Sequence, residues 1–544
     1  MVEGWVVGKL QRMNRNDLIP YPEDRVRFFK DSGFWTDDTL VSWLAHHAKV
    51  RPDHPALAFG ELRLSYRELV ERANALASGF ARIGLGKGDI IALQLFNIPE
   101  YIIAHVAISR LGAVTQTLHM PYRGAEMENL LGHSGARAFI CVDRFGTYRT
   151  AEVAKGAADK LPSLEHVIVH GEPTAGTIAL ADLSVSTEAV LGDAPEPDDP
   201  FLLMYTSGTT ESPKGVATSY RPYLNNARAS AKEFALTPDD VVLSAAPFSH
   251  LYGTCVMYLA LNSGATLLLL PRFTPEDFTA TLEAGKATAL FTGPPHNAAC
   301  IDAGLYNRQN LSSVRFAVIS GSRCPPELAR VVDDKLVNGT VLQLWGMTEI
   351  NAGTYSRPGD PTDLRHNSAG RPSPSTELRV VGEDGAALPT GNEGELQIRG
   401  ASVFSGYYNN SAANDVAFDG DWFRTGDLGV IDEHGYLHLT GRTKEIINRG
   451  GVKFNPLDIE TLINQMPNVE VAAVVPIPDP VLGEKACVFI QTAGDGSVTL
   501  EAIVAHLEEH HIAKNKWPER LELIDVMPLT PTNKIIKSKL RVPA

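Results

Sequence analysis

Short apolar runs alternate with stretches in which apolar side chains return every third or fourth position, and this rhythm fills most of the chain up to residue 440. Residues 90–95 (IIALQL) and 167–169 (VIV) have the length and composition of buried strands. Between such runs, Leu69, Ala73, Leu76, Ala77 and Phe80 recur at helical spacing behind Ser65, with Glu68 three residues after the serine, which predicts a helix opened by a capping box. A second helix is expected over 101–112, followed by a strand that starts at Ala113-Val114. Strand and helix in alternation predict α/β layers with largely parallel sheets. Farther on the period changes: 394–400 (GELQIRG) and 435–439 alternate apolar and polar residues in the manner of strands with one covered face. The tail has strand patterns at 469–475 and 486–491 and a helix over about 500–509. That tail is long enough to form a compact domain of its own.

Length agrees with this division, because 544 residues exceed what one ordinary core holds. The expected domains are 1–441 and 446–544, with 442–445 as the connection; the turn-rich DAPEPDDP at 193–200 reads as a surface connection inside the first. A net charge of −15 argues against a nucleic-acid partner, which needs a basic surface. Five cysteines without CxxC spacing (Cys141, Cys255, Cys300, Cys324, Cys487) read as free thiols of a reducing compartment. The N-terminal residues lack an apolar signal region and no run approaches a membrane span, so a cytoplasmic location is expected. His46-His47 and His510-His511 read as surface or packing residues rather than metal ligands.

Chemistry enters after the apolar run 201–204, at YTSGTTESPKG (205–215). Glycines, hydroxyls and one lysine in a loop behind a strand suit a polyphosphate, because backbone N–H groups, hydroxyls and an ammonium all donate to anionic oxygens. The Walker A spacing is absent. A second cluster, QLWGMTE (343–349), follows another apolar run, and by itself reads equally as a core tryptophan ahead of a capped helix. A third, Gly321-Ser322-Arg323, follows a strand-like stretch and reads by itself as a β-turn. Asp427 stands in FRTGDL, Arg442 and Lys444 in GRTKEIINRGG, and Lys534 in PLTPTNK.

Taken in order, these motifs resemble the adenylate-forming ANL superfamily: acyl- and aryl-CoA synthetases, carrier-protein adenylation domains and firefly luciferase. The likeness runs from about Leu40 to Arg541 and includes Tyr407 in SGYY (405–408) and the PDP…GE element at 478–484. It implies a large N-terminal domain of α/β layered sheets plus a distorted β-barrel, and a small mobile α+β C-terminal domain. It implies ATP as substrate, gripped by Thr206, Ser207, Gly208, Thr209, Thr210 and Lys214, with Gly321, Ser322, Arg323, Trp345, Gly346 and Met347 about the adenine. Thr348 would bond the α-phosphate, Glu349 would help hold Mg2+, and Asp427 and Arg442 would take the ribose hydroxyls. Lys534 would be the catalytic lysine and Lys444 the hinge about which the small domain turns between two half-reactions. Gly450 and Gly451 would let the pantetheine arm of coenzyme A approach the backbone. Three departures stand out: Glu211 where the family has glycine, Asn533 where it has glycine, and Glu445 where aspartate is commoner.

The implied reaction is ligation of a carboxylic acid to a thiol, with an acyl-adenylate formed first and pyrophosphate released, then transfer to coenzyme A with release of AMP. His250, Tyr252 and Gly253 in PFSHLYG, with Thr292 in FTGPP, would line the acyl pocket, and Gly346 would leave it open where acetate enzymes carry tryptophan. The asparagine-containing motif of dihydroxybenzoate enzymes is absent, while Phe34-Trp35 and INRGG (447–451) are similar to that group and to alicyclic acyl-CoA synthetases. The acid expected is therefore medium-chain, alicyclic or aromatic. Two alternatives stay open: a stand-alone enzyme that loads the phosphopantetheine of a separate carrier protein, and a catalytically weakened nucleotide- or acyl-binding protein. The resemblance leaves monomer and homodimer equally open.

Overall fold

The fold is described from a computed structural model, for residues 12–185, 191–206, 214–449, 452–494, 496–530 and 534–542. Ser207, Gly208, Thr209, Thr210 and Glu211 of the glycine-rich loop, together with Gly450, Gly451 and Asn533, lie outside the described residues.

The chain divides into two compact units, one of 1–377 with 398–423 and one of 378–397 with 424–544. Two large sheets build the first. One runs Arg371–Pro372, Asn351–Tyr355, Thr340–Met347, Phe316–Ile319, Ala289–Thr292, Val241–Ser244, Thr266–Leu268, Pro55–Phe59, Leu62–Ser65. The other runs Tyr407–Tyr408, Gly215–Ser219, Pro200–Tyr205, Val114–Thr117, Ile90–Gln94, Ala138–Val142, His166–His170, Ile178–Ala179. Their central pairings are parallel, as expected from the strand–helix rhythm. Antiparallel pairs close the edges at Leu62–Ser65, Asn351–Tyr355, Gly215–Ser219 and Tyr407–Tyr408.

The helix behind Ser65 spans Tyr66–Arg82, and its capping box is present: Glu68 N–H donates to Ser65 Oγ (3.2 Å) and Ser65 N–H to Glu68 Oε2 (2.8 Å). The helix expected over 101–112 spans Pro99–Arg110. It lacks a polar face because it lies in one core cluster together with helix Leu251–Ser263, strand residues Leu57, Val242 and Phe291 of the first sheet, and Ile91, Leu93 and Phe201 of the second. Asp198 and Asp199 of the turn-rich stretch are tied to Arg221, Arg15 and Lys87, inside the same unit. Arg221 holds Asp198 below its ordinary carboxylate range.

The alternating stretches form the strands of an open half-barrel sheet: Thr376–Val381, Gly394–Gly400, Trp422–Ile431 and Phe418–Asp419, with Leu437–Arg442 paired on Trp422–Ile431. The tail forms a mixed sheet, Val452–Phe454, Ile447–Arg449, Gly483–Thr492, Val469–Asp479, with Arg520–Leu523 parallel to Gly483–Thr492. Helices Leu457–Ile463 and Leu500–Glu509 cover it through Ile459, Ile463, Ile503 and Leu507, so this part is α+β with its own core. No helix among the described residues is long and apolar enough to cross a membrane. All five cysteines are free, four of them buried and Cys255 partly so.

Candidate active site

Parallel strands deliver several of the named segments to one sheet edge of the large unit. Ala289–Thr292, Phe316–Ile319 and Thr340–Met347 are neighbours, with Thr292, Ile319 and Gln343 in register. Thr292-Gly293, Gly321-Ser322-Arg323 and Trp345–Glu349 therefore leave the sheet side by side at the carboxyl ends of its strands, where open α/β sheets place their ligands. Gly321 has φ +93°, a conformation that favours glycine, and Ser322 and Arg323 are exposed.

The 343–349 segment is strand and turn, not a capped helix. Thr340–Met347 folds back on Asn351–Tyr355, so Thr348 and Glu349 sit in the connecting turn. Trp345 is buried, and a bulge falls between it and Gly346. Gly346 is demanded by the backbone: a Cβ there would stand 2.1 Å from the Asn351 carbonyl oxygen. Of two adjacent asparagines on helix Tyr220–Glu233, one holds this hairpin and the other the serines Ser375 and Ser402. Asn226 exchanges two hydrogen bonds with the Ala352 backbone (3.0 and 3.2 Å), and Asn225 donates to Ser375 Oγ and Ser402 Oγ. Neither was among the expected site residues. Their signal was faint: adjacent asparagines in a helix that otherwise buries Tyr223, Leu224 and Ala227.

Lys214 and Glu349 meet at a third residue. The Tyr407 hydroxyl donates to Glu349 Oε1 (2.8 Å), and Lys214 Nζ lies 4.9 Å from the centre of the Tyr407 ring. Thr206 N–H donates to the Lys214 carbonyl (3.0 Å), joining the two ends of the glycine-rich loop. Burial and the Glu349 carboxylate push the Tyr407 phenol far above its ordinary pKa, so it stays a donor. Among the described residues no group of three or more His, Cys, Asp or Glu could hold a metal by itself. Glu349 is a single buried carboxylate, which fits a magnesium ion bound through one protein oxygen and the phosphates of a nucleotide.

The acyl-pocket candidates are already engaged with the protein. Tyr252 is buried and donates to the Val318 carbonyl (2.9 Å), while Thr292 Oγ1 accepts from Asn297 (2.7 Å). His250 caps helix Leu251–Ser263 by accepting from Tyr252 N–H at Nδ1 (3.3 Å). Its ring lies 5.9 Å from that of His119, which burial holds down at about 4. A Cβ on Gly253 would meet the Pro247 carbonyl at 2.2 Å, so this glycine lets the helix start against its own loop.

In the second unit, Asp427 and Arg442 are directly opposite in an antiparallel pair, and Arg442 Nε lies 3.0 Å from Asp427 Oδ1. Asp427 is buried, while the Arg442 side chain is about half exposed at 54%. Lys444 is exposed in the single turn Thr443–Glu445. Lys534 is bonded to Thr530, whose N–H donates to its carbonyl (2.7 Å) and whose Oγ1 accepts from its N–H (3.0 Å). Lys537, three residues on, is taken by Glu445 and Glu460, each at 2.8 Å.

In the large unit, strand-end loops stand with a tyrosine that meets both a buried carboxylate and an ammonium, an arrangement suited to a charged small molecule. The profile of the AMP-binding enzyme family matches residues 44–408, and that of the AMP-binding enzyme C-terminal domain matches 458–534. The chain belongs to this family, the adenylate-forming ANL superfamily, whose members activate carboxylic acids with ATP. It is 33% identical to a salicylyl-CoA synthase / salicylate adenylyltransferase of a Streptomyces species, over 97% of this chain and 98% of that one. It is 32% identical to a salicyl-AMP ligase / salicyl-S-ArCP synthetase of Mycobacterium tuberculosis, over 96% and 93%. Its fold matches the crystal structure of an anthranilate CoA ligase in complex with anthranoyl-AMP with a TM-score of 0.84, at 25% identity, over 94% of this chain and 97% of that one.

Proposed function

We propose that this enzyme is an acid–thiol ligase that activates an uncharged ring acid as its acyl-adenylate and passes the acyl group to coenzyme A. The observation that carries the adenylation step is the meeting of Lys214 and Glu349 at Tyr407, in the unit whose sheet edge also presents Gly321–Arg323 and Trp345–Thr348. An ammonium for phosphate oxygens and a carboxylate for Mg2+ are what attack on an α-phosphorus needs, since such catalysis rests on positioning and charge stabilisation. Bound Mg2+ would offset phosphate charge. Thr348 contributes a hydroxyl to the α-phosphate, Asp427 and Arg442 hold the ribose, and Lys534 supplies the ammonium that counters charge in the transition state. Residues 442–445, with Lys444, serve as the hinge between half-reactions, and Gly450-Gly451 lie along the path of the thiol.

The acid is inferred from the pocket candidates and the relatives together. Tyr252 donates its hydroxyl to the Val318 carbonyl and Thr292 accepts from Asn297, so both hydroxyls already have protein partners. Relatives of similar identity are named for salicylate, 2,3-dihydroxybenzoate and a naphthoate, all aromatic acids. The second reading, loading of a carrier protein, is favoured by the relative named as a salicyl-S-ArCP synthetase.

The test is a pyrophosphate–ATP exchange screen over aromatic, alicyclic and medium-chain acids, followed by thioester formation with coenzyme A and with a phosphopantetheinylated carrier protein. Exchange that depends on one class of ring acid is expected, with thioester formed on coenzyme A. Lys534→Ala should lower exchange by about 10²-fold with the fold intact. Absence of exchange with every acid would overturn the proposal, and thioester formed only on the carrier would move it to the second reading.

A further inference from the structure

Resting on the adenylation reading above, we propose that Tyr407 is a positioning residue which orients the metal-binding carboxylate and the phosphate-binding ammonium from one ring. Its hydroxyl donates to Glu349 Oε1 at 2.8 Å, and its ring lies 4.9 Å from Lys214 Nζ. A phenol suits both tasks. The O–H aims a carboxylate without cancelling its charge, and the π-face attracts an ammonium without pairing with it as a carboxylate would. Glu349 and Lys214 are thus directed from one ring.

The backbone around Tyr407 is built for this. Tyr407 and Tyr408 pair with Val216 and Gly215, the residues immediately after Lys214. Phe404 N–H donates to the carbonyl of Glu349 itself (2.7 Å). One short segment is therefore bonded both to the end of the glycine-rich loop and to the turn that carries the carboxylate. Asn414 locks Tyr407 in place, its Oδ1 accepting from Tyr407 N–H (2.7 Å) and its Nδ2 donating to Tyr407 O (3.0 Å).

An N-terminal strap holds the same segment from outside. Trp35 Nε1 donates to the Ala401 carbonyl (2.8 Å), Tyr21 OH to the Val403 carbonyl (2.7 Å) and Ser405 Oγ to the Ile19 carbonyl (2.5 Å). Tyr21, Phe29 and Trp35 pack ring against ring with Ala401. The aromatic residues near Phe34-Trp35 thereby gain a task in the nucleotide site, reached through three main-chain carbonyls.

The test is calorimetric binding of ATP to the full chain with Mg2+ and, separately, with EDTA. Tyr407→Phe keeps the ring over Lys214 and removes only the hydrogen bond to Glu349. It should weaken MgATP binding by about 10-fold, the order expected for a lost hydrogen bond to a charged group, and leave metal-free ATP binding within about twofold. Tyr407→Leu should weaken both. In a Glu349→Gln background the Tyr407→Phe loss should vanish, because the two act on one ligand. Equal losses with and without Mg2+, or losses that add in the double variant, would overturn the proposal. If Tyr407→Phe unfolds, Tyr21→Phe carries the test: a smaller loss confined to MgATP is expected, and a loss indifferent to Mg2+ would overturn it. A wild type that binds MgATP and exchanges pyrophosphate keeps the adenylation reading whatever Tyr407→Phe does; a wild type that binds no nucleotide overturns both.

Discussion

Two buried glutamates, Glu349 in the large unit and Glu460 in the small one, meet different kinds of partner. In the large unit Glu349 is met by the neutral phenol of Tyr407. In the small unit Glu460 and Glu445 share the ammonium of Lys537, and Asp427 faces the guanidinium of Arg442. A neutral donor gives a carboxylate direction and leaves its charge available, whereas a cation fixes it and cancels much of that charge. The difference matches the tasks proposed for the two glutamates: one in a site that must receive a cation, the other in a segment beside the hinge that must stay rigid while the chain turns at Lys444. The large unit also buries neutral histidines. His105 meets Thr115 and Tyr258, His119 meets Ser249, and His296 accepts from Gly293 N–H. Burial lowers them to about 3, 4 and 4.

Acid is expected to separate the units most strongly. Each of these histidines binds its proton more weakly when folded than when unfolded, so the unfolded state holds more protons below pH 6.5. Stability of the large unit is therefore full above about pH 6.5 and is lost as pH falls from there toward 4. The loss between pH 7 and pH 5 should be on the order of 1–2 kcal/mol for each histidine. Thermal unfolding across that range, with hydrogen exchange to assign the transition, should show the large unit unfolding first. His105→Gln should lower stability at pH 7 and flatten the slope. An unchanged slope would mean that the histidines do not set the acid response.

The small unit is probed through its cation. Lys537→Met leaves Glu460 buried against the amide of Val474 without its counter-charge. Removing one partner of a buried pair costs about 3 kcal/mol or more. Burial already pushes Glu460 above its ordinary carboxyl range, so the cost should shrink as pH falls toward the carboxyl range and the group takes up a proton. Denaturant unfolding at pH 7.5 and pH 5 measures both. A cost that is equal at the two values would show that Lys537 acts through packing and not through charge.

Gly346→Ala tests the large unit on its own terms. The added methyl must displace the Asn351 carbonyl, and overpacking of that kind costs about 1–3 kcal/mol. Activity should fall further than stability does, because Thr348 and Glu349 sit in the turn that must move. Equal activity would show that the hairpin adapts.

The sequence disclosed what is local. Ser65-x-x-Glu68 ahead of a helical apolar period is a cap and short apolar runs are strands, each readable from neighbours a few residues away, and the motifs are local patterns whose order identifies the family. The remainder depends on pairs distant in the chain. Tyr407 reaches Glu349 across 58 residues, and Lys537 reaches Glu445 across 92. Nothing in the spacing of either pair announces it. The antiparallel edges at Asn351–Tyr355 and Gly215–Ser219 were equally hidden, since a hairpin inside a strand–helix rhythm looks like one more strand. Gly346 has a backbone reason that its sequence does not announce: a Cβ there would stand 2.1 Å from the Asn351 carbonyl oxygen.

The smallest effect expected lies farthest from any charge. Ser65→Ala removes the oxygen that accepts from Glu68 N–H and donates to Glu68 Oε2, and leaves the bond from the backbone N–H of residue 65 to that carboxylate. Loss of such a cap costs about 1 kcal/mol. Because Leu69, Leu76 and Phe80 of that helix are buried in the large unit's core, the cost should appear in its unfolding transition and leave that of the small unit unmoved. Ser65→Asp should restore most of it, since aspartate caps as well as serine does. A loss shared equally by both transitions would show that the two units unfold as one, and the contrast between neutral and charged supports would then be chemical without being thermodynamic.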